Sequence, residues 1–449
     1  MNPRDAALTV LRTLRRSGHE ALFAGGAVRD LLLGVEPGDF DVATSAPPDA
    51  IQALFRRTNA VGAAFGVILV RIDDAEVEVA TFRTDGPYRD GRHPESVCFP
   101  TDARADAARR DFTINALFLD PETGAVHDYV GGRDDLAAGV VRAVGDAEAR
   151  FAEDRLRMLR AVRFAARLGF AIEPGTAAAI RRHAARIAEV SPERIRDELD
   201  RILTEGGAER GFTWLADLGL LDAVLPEIAA MDGVEQPPEF HPEGDVWTHT
   251  LLVLRGLDAR PERTPALAWG ALLHDVGKPP TFEVTDRIRF NGHARVGAEI
   301  ADAIADRLRF SRERREEVVD LVATHMTFAD VQQMRPARLR RFLGHPNAPA
   351  RLALHEIDCD ASHRLAENAI FCRRKLDEYA GEPIVPARLL TGHHLIAAGY
   401  VPGPRFVAML ERAHDAQMEG EIASVEEALA LVRREHGPPE ADRGSAPRG

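Results

Sequence analysis

No apolar run in these 449 residues comes near the ~20 residues that a membrane-spanning helix requires. The expectation is a chain without membrane contact. The N-terminal stretch is also unlike a signal peptide: Ala7, Leu8, Leu11 and Leu14 recur at helical spacing, and charges interrupt them. Cysteine is scarce. Cys98, Cys359 and Cys372 are widely spaced, which excludes a disulfide framework and fits a reducing cytoplasm. Lysine is scarcer still, with Lys278 and Lys375 the only two among 57 basic residues. Positive charge is lacking overall. A net charge of −14 argues against a general nucleic-acid binder, although arginines cluster at 155–167, 335–341 and 373–374. No solenoid-like repeat is present.

What is there fits a water-soluble globular protein, with 45% hydrophobic and 29% charged residues. The length suggests about three domains, each long enough for a real core. Strand-like runs at Ala21–Ala24, Val67–Ile72, Glu76–Phe82 and Ala116–Asp120 alternate with turns and a helix or two up to about residue 140. Beyond it nearly every segment has helical period, as in Leu156, Leu159, Val162, Phe164, Ala165 and Leu168. Proline breaks at Pro237-Pro238 and Pro242, then at Pro383 and Pro386, divide the helical part. The fold class expected is α+β: an α/β head over 1–140, then a helical neck over 141–236. Further helical segments follow over 237–382 and 383–435, with a disordered Pro/Gly/charge-rich tail over 436–449.

The most informative stretch is Gly25-Gly26-Ala27-Val28-Arg29-Asp30-Leu31-Leu32-Leu33-Gly34, which leads into Asp39-Phe40-Asp41. A glycine pair turns backbone N–H groups outward, where they can cradle phosphate. Two carboxylates at i and i+2 on a strand share one face, close enough to share divalent metal. In the strand that follows, Glu76 and Glu78 share a face, and either can serve as a third carboxylate. A phosphate cradle with such a cluster is what metal-dependent phosphoryl or nucleotidyl transfer needs.

Taken in order, five motifs resemble the class II tRNA CCA-adding enzyme and poly(A) polymerase family. They are the glycine motif with Asp39-x-Asp41, Glu78 to Arg83, Arg109-Arg110-Asp111-Phe112-Thr113-Ile114-Asn115-Ala116, and Glu153-Asp154-x-x-Arg157, within about residues 20–235. The resemblance implies that the head is a nucleotidyltransferase in which Asp39 and Asp41 bind catalytic Mg²⁺ and Glu78 supports them. Gly25, Gly26 and Arg29 would meet the triphosphate; Arg110, Asp111 and Asn115 would lie at the nucleotide, with Asp111 at the ribose. It further implies attack of a tRNA 3′ end on CTP or ATP, with pyrophosphate leaving. The segment Asp85–Arg92, otherwise a surface loop, resembles the mobile element used for the final A. The segment 61–67 lacks the Arg-rich pattern of the bacterial poly(A) polymerase branch, which leaves poly(A) synthesis as the alternative.

The motif at 153–160 also has a reading of its own. Glu153, Arg157 and Arg160 share a helix face by spacing, with Asp154 beside it. An intrahelical salt bridge is one account and base selection the other. Cytosine and adenine each set an amine donor beside a ring-nitrogen acceptor, which suits an Asp acceptor paired with an Arg donor. Uracil and guanine present the reverse, so Asp154 and Arg157 would select C and A.

In the helical half, His249, His274-Asp275 and Asp358 fall in segments read as helical, Trp247–Leu254, Ala266–Gly277 and Leu352–His363. Imidazoles and carboxylates from separate helices can converge on one divalent metal. The run Leu272-Leu273-His274-Asp275-Val276-Gly277-Lys278 resembles the HD phosphohydrolase superfamily, with His293 and His325 as candidates for a second metal. That resemblance makes 237–382 an HD domain, and a phosphohydrolase acting on cyclic or terminal phosphates is the other function it implies. The segment 389–434 resembles the tRNA-gripping tail of some CCA-adding enzymes.

Overall fold

The structure, a computed structural model, describes residues 1–62, 65–86, 96–362 and 366–439. Two compact units divide the chain. The first takes residues 1–232, 257–268 and 304–310; the second takes 233–256, 269–303 and 311–449.

The first unit begins with the helix Pro3–Arg16. The Asn2 side chain caps it by accepting from Asp5 N–H (2.8 Å), and Ala6, Ala7, Val10, Leu11 and Leu14 are buried. The strands follow: β1 (Ala21–Ala24), β2 (Asp41–Thr44), β3 (Thr58–Gly62), β4 (Val67–Ile72), β5 (Ala75–Thr81), β6 (Thr84–Asp85), β7 (Val97–Cys98), β8 (Leu117–Leu119) and β9 (Val126–Asp128). Seven form one sheet in the order β3-β4-β5-β2-β1-β8-β9, and β6 with β7 makes a separate ladder. All four residues of β1 are buried, as a central strand requires.

Register places the acidic residues. β1 and β2 pair antiparallel with Ala24 opposite Asp41, and β2 and β5 pair parallel with Val42 opposite Val79. One step back along both strands sets Asp41 beside Glu78 on the same face. Val77, Val79 and Thr81 fill the other face of β5, which leaves Glu76 and Glu78 on the open one. Asp39 stands two residues before Asp41, just outside β2.

From residue 147 this unit is helical. The helix Ala147–Glu153 ends at Asp154, whose backbone is extended (φ −143°, ψ 106°), and a new helix runs Leu156–Leu168. The single helix expected across 153–160 is therefore two. Asp154 breaks it because its carboxylate turns back to accept from Leu156 N–H (3.2 Å). The helix Pro192–Thr204 packs beside it, through Arg163, which bonds Glu198 (2.8 Å) and Glu205 (3.2 Å).

The second unit contains the helices Val246–Asp258 (to residue 256), Pro265–Leu273 (from 269), His293–Arg307 (to 303), Arg312–Thr324 and Ala348–Ala361. His249 and Asp358 lie on helices as expected. His274 and Asp275 do not: the helix stops at Leu273, and the pair sits in the turn that follows. Gly277 dictates that turn, because its backbone lies against the next helix, where a Cβ would stand 2.1 Å from the His293 carbonyl oxygen. Three helices, Gly392–Ala397, Arg405–Met418 and Val425–His436, close around Leu395, Tyr400, Met409, Leu431 and Val432. Residues 87–95 of the loop read at Asp85–Arg92, His363 and residues 440–449 of the tail lie outside the described residues.

Candidate active site and a second candidate metal centre

The strand ends and the helices Leu156–Leu168 and Pro192–Thr204 line a cavity of about 820 Å³ in the first unit. Asp39, Asp41 and Glu78 line one side; Asp154, Arg157, Arg160 and Arg194 line another. Asp41 is pushed up to about 7 by burial and by the neighbouring charges of Glu78 and Asp39, with Arg110 opposing. Glu78 is raised as well, by desolvation and then by Asp39. Two carboxylates, Asp41 and Glu78, raised by burial and by acidic neighbours that include Asp39, form a site that wants a cation.

Gly25 joins this wall because only glycine takes its backbone easily, at φ +71°. A Cβ there would stand 3.1 Å from Arg110 Nη1 and 4.0 Å from Asp41 Oδ2. Its N–H does not face the cavity, since it donates to the Leu117 carbonyl (3.2 Å). The outward N–H expected of a glycine pair is thus left to Gly26 alone, at the start of the helix Gly26–Leu32. Arg29 is 2% exposed and donates to Asn115 Oδ1 (2.7 Å) and Asp30 (2.8 Å).

The pairing of the remaining residues differs from the sequence reading. Asp111 takes Arg160 as its partner (2.6 Å) and also accepts from Asn115. Arg110 turns to Asp106 (3.0 Å) and to the Asn115 carbonyl (3.1 Å). Asp154 accepts from Arg194 (3.0 Å), while Arg157 donates to Glu153 (2.8 Å) and to two backbone carbonyls, those of Arg150 and Arg109. So the acceptor and donor read as one pair are each fixed by a different neighbour, with both facing the same cavity. Asp106 and Arg194 escaped the sequence reading. Asp106 had a signal, since Asp106-x-x-Arg109-Arg110 is i, i+3 and i, i+4 on a helix end. Arg194 had none.

The second unit brings all six of the other expected ligands together. His249 Nε2 lies 3.1 Å from Asp358 Oδ1 and 3.3 Å from His274 Nε2, and His274 Nε2 lies 3.1 Å from Asp275 Oδ2. On the far side of Asp275, its Oδ1 is 3.6 Å from His293 Nε2 and 3.7 Å from His325 Nε2, and those two nitrogens are 3.1 Å apart. The Nδ1 atoms of His274, His293 and His325 face the carbonyls of Ala271, Phe290 and Val322 at 2.7–2.9 Å. A carbonyl only accepts, so each Nδ1 carries the proton and each Nε2 points a lone pair inward. Lone pairs facing one another at such distances repel unless a cation lies between them. The donor set fits a divalent metal at each cluster, with Asp275 common to both. Lys278, the last residue of the run Leu272–Lys278, places Nζ 2.7 Å from Asp275 Oδ2 and 2.6 Å from Gln236 Oε1, while Gln236 and Glu243, the latter beside His249, are neighbours that the sequence reading missed.

Comparisons with known proteins follow this division. Family models match as "Poly A polymerase head domain" over 21–142, "Probable RNA and SrmB- binding site of polymerase A" over 169–232 and "HD domain" over 246–361. A CCA-adding enzyme of Lactobacillus johnsonii is 33% identical over 428 residues, 94% of this chain and 95% of that one. This chain belongs to the CCA-adding enzyme family. A CCA-adding enzyme of Geobacillus stearothermophilus is 45% identical over 230 residues, where the match spans 51% of this chain and 56% of the relative. The match thus spans little more than half of that relative's length. The crystal structure of the Bacillus stearothermophilus CCA-adding enzyme in complex with CTP superposes with a TM-score of 0.73 at 27% identity, covering 99% of this chain and 100% of that one. Membership accounts for the mixed architecture of head, helical region and HD domain. No helix among the described residues is long and apolar enough to cross a membrane.

Proposed function

We propose that this chain is a tRNA nucleotidyltransferase that builds or repairs the 3′-terminal CCA from CTP and ATP. The observation that carries the reading is one cavity walled by Asp39, Asp41 and Glu78 on one side and by Asp154 and Arg157 on the other. In this reading Asp39 and Asp41 hold Mg²⁺, and Glu78 supports them by sharing their charge. Mg²⁺, when bound, lowers the pKa of the attacking hydroxyl and offsets charge on the leaving phosphates. The RNA 3′-oxygen forms a bond to the α-phosphorus of the nucleotide, the bond to the bridging oxygen breaks, and pyrophosphate leaves. Gly25, Gly26 and Arg29 form the end of the cavity where the triphosphate lies, Arg29 by fixing Asn115. Asp111, held by Arg160 and Asn115, accepts from the ribose, with Arg110 beside it. Asp154 accepts the N4 or N6 amine and Arg157 donates to the adjacent ring nitrogen. Glu153 and Arg194 fix these two side chains from opposite sides.

Full-length relatives named CCA-adding enzymes favour CCA addition over poly(A) synthesis. The test is incubation with tRNA lacking its 3′ end and with CTP and ATP separately and together. Ordered addition that stops at CCA supports the reading, and a long A tail refutes it.

A second activity is favoured by the histidine cluster of the second unit. There His249, His274, Asp275 and Asp358 hold one divalent metal, and His293 and His325 with Asp275 hold another. The expected chemistry is hydrolysis of a phosphate ester, with Lys278 adding positive charge beside Asp275. The division proposed is a nucleotidyltransferase head over 1–140, a nucleotide-selecting neck over 141–236, an HD domain over 237–382 and a tRNA-binding tail over 383–435. The proposed setting is the cytoplasm.

A further inference from the structure

Glu243 sits outside both clusters and serves neither of them as a ligand, yet its contacts converge on one of the histidines. Its Oε1 is 2.7 Å from His249 Nδ1 and 2.9 Å from His241 Nδ1. The side chain is 8% exposed, and its second oxygen is buried without a hydrogen-bond partner among the described residues. The rings of His241 and His249 stand edge to face, 4.9 Å between centroids. These three residues lie close enough to be taken for a metal site of their own. The chemistry of His249 argues otherwise. With Nε2 ligating a metal in the cluster beside Asp358 and His274, a second metal on Nδ1 would need a doubly deprotonated ring.

The other three histidines of the centre fix Nδ1 with a backbone carbonyl. His249 has a carboxylate in that place. A carboxylate only accepts, so Nδ1 of His249 carries a proton; a metal in the cluster then takes the Nε2 lone pair, whereas without metal Nε2 is a second N–H facing Asp358 (3.1 Å). The negative charge of Glu243 also raises the basicity of the ring it bonds, which a neutral carbonyl does less.

The geometry points to Glu243 as a positioning residue that fixes the tautomer and orientation of His249 and so sets the metal affinity of the cluster that His249 shares with His274, Asp275 and Asp358. The inference rests on the HD centre holding metal.

Metal titration of the full chain tests both. Chelator-stripped protein is titrated with Zn²⁺ or Mn²⁺ against a chromogenic competitor, with thermal unfolding of the metal-free form as the control for folding. Glu243→Ala should weaken the affinity roughly 10–100-fold. Glu243→Gln keeps an oxygen acceptor for Nδ1–H but not the charge and should lose about two- to tenfold; should the alanine variant fail to fold, an affinity of the glutamine variant equal to wild type overturns the inference. His241→Ala leaves the Glu243–His249 bond and should lose less than Glu243→Ala, with the number of metals bound unchanged. Loss of one bound metal in His241→Ala would overturn the inference, because the trio would then be a site itself. Equal affinity in wild type and Glu243→Ala would overturn it too. A wild type that takes up no metal refutes the HD centre, and the inference falls with it.

Discussion

Replacing Asp41 by Asn will stabilise the metal-free chain at pH 8 while removing nucleotidyl transfer. Asp41 is pushed up to about 7, from an ordinary 3.8, by burial and by Glu78 and Asp39. Between those two values the folded chain binds a proton that the unfolded chain has released. Stability therefore falls as pH rises from about 4 to 7, and the whole penalty is present above 7. A shift of about three units corresponds to a ceiling near 4 kcal/mol, at about 1.4 kcal/mol each. The cavity opens to water and Asp39 is exposed, so screening reduces the expected gain to about 1–2 kcal/mol. That is roughly a 2–8 °C rise in Tm, if this unit melts like other domains of its size. The assay is thermal unfolding in EDTA at pH 4 and pH 8, with and without added Mg²⁺. The gain should be near zero at pH 4 and full at pH 8. Saturating Mg²⁺ should raise the wild type toward or above the variant. An Asn variant that melts lower than wild type at pH 8 in EDTA, or whose gain is the same at both pH values, refutes the crowding of charge on which the site assignment depends.

Three further outcomes are expected. Asp106→Ala leaves the guanidinium groups of Arg109 and Arg110 without their shared carboxylate, itself 1% exposed, and should cost about 3 kcal/mol by denaturant unfolding. Gly277→Ala drives a methyl into the His293 carbonyl and the Gly297 nitrogen and should weaken metal binding at the HD centre at least tenfold; CTP affinity, measured by calorimetry, should stay within twofold. Asp128 accepts from the N–H groups of Val130, Gly131, Gly132 and Arg133, so Asp128→Ala should destabilise by about 1–2 kcal/mol at pH 7. These bonds hold the Asp128 carboxyl below its ordinary 3.8, against its partial burial. The difference between the two proteins should therefore be present above pH 4 and fade as pH falls further.

The sequence made the sheet legible where one face is buried. Val77 and Val79 alternate with Glu76 and Glu78, and β1 reads as a buried run because it lies mid-sheet. That these acidic and histidine residues would come together was legible for a similar reason: Asp39-x-Asp41 and His274-Asp275 are short motifs whose members adjoin in the chain. What stayed hidden was partner choice. Asp154 is near Arg155 and Arg157 in sequence, but its carboxylate breaks the helix and meets Arg194, forty residues on. Local spacing does not reveal Arg194, because it ignores the extended backbone that Asp154 itself creates. Glu243 was hidden likewise, since a loop residue six positions before His249 has no periodicity to give it away.

The path of the chain between the two units has a consequence for anyone building hybrids of this family. Between His249 and Asp358 the chain enters the first unit twice, with residues 257–268 and 304–310. Cutting after residue 232 would leave the first unit without both segments, including Leu257, Leu308 and the arginine that binds Glu227, Arg307. Grafting a foreign HD region would import those segments along with the histidine–aspartate cluster. A workable chimera therefore needs several junctions rather than one. Drift in the sequence between residues 246 and 361 is constrained by packing in the first unit as well as in the second.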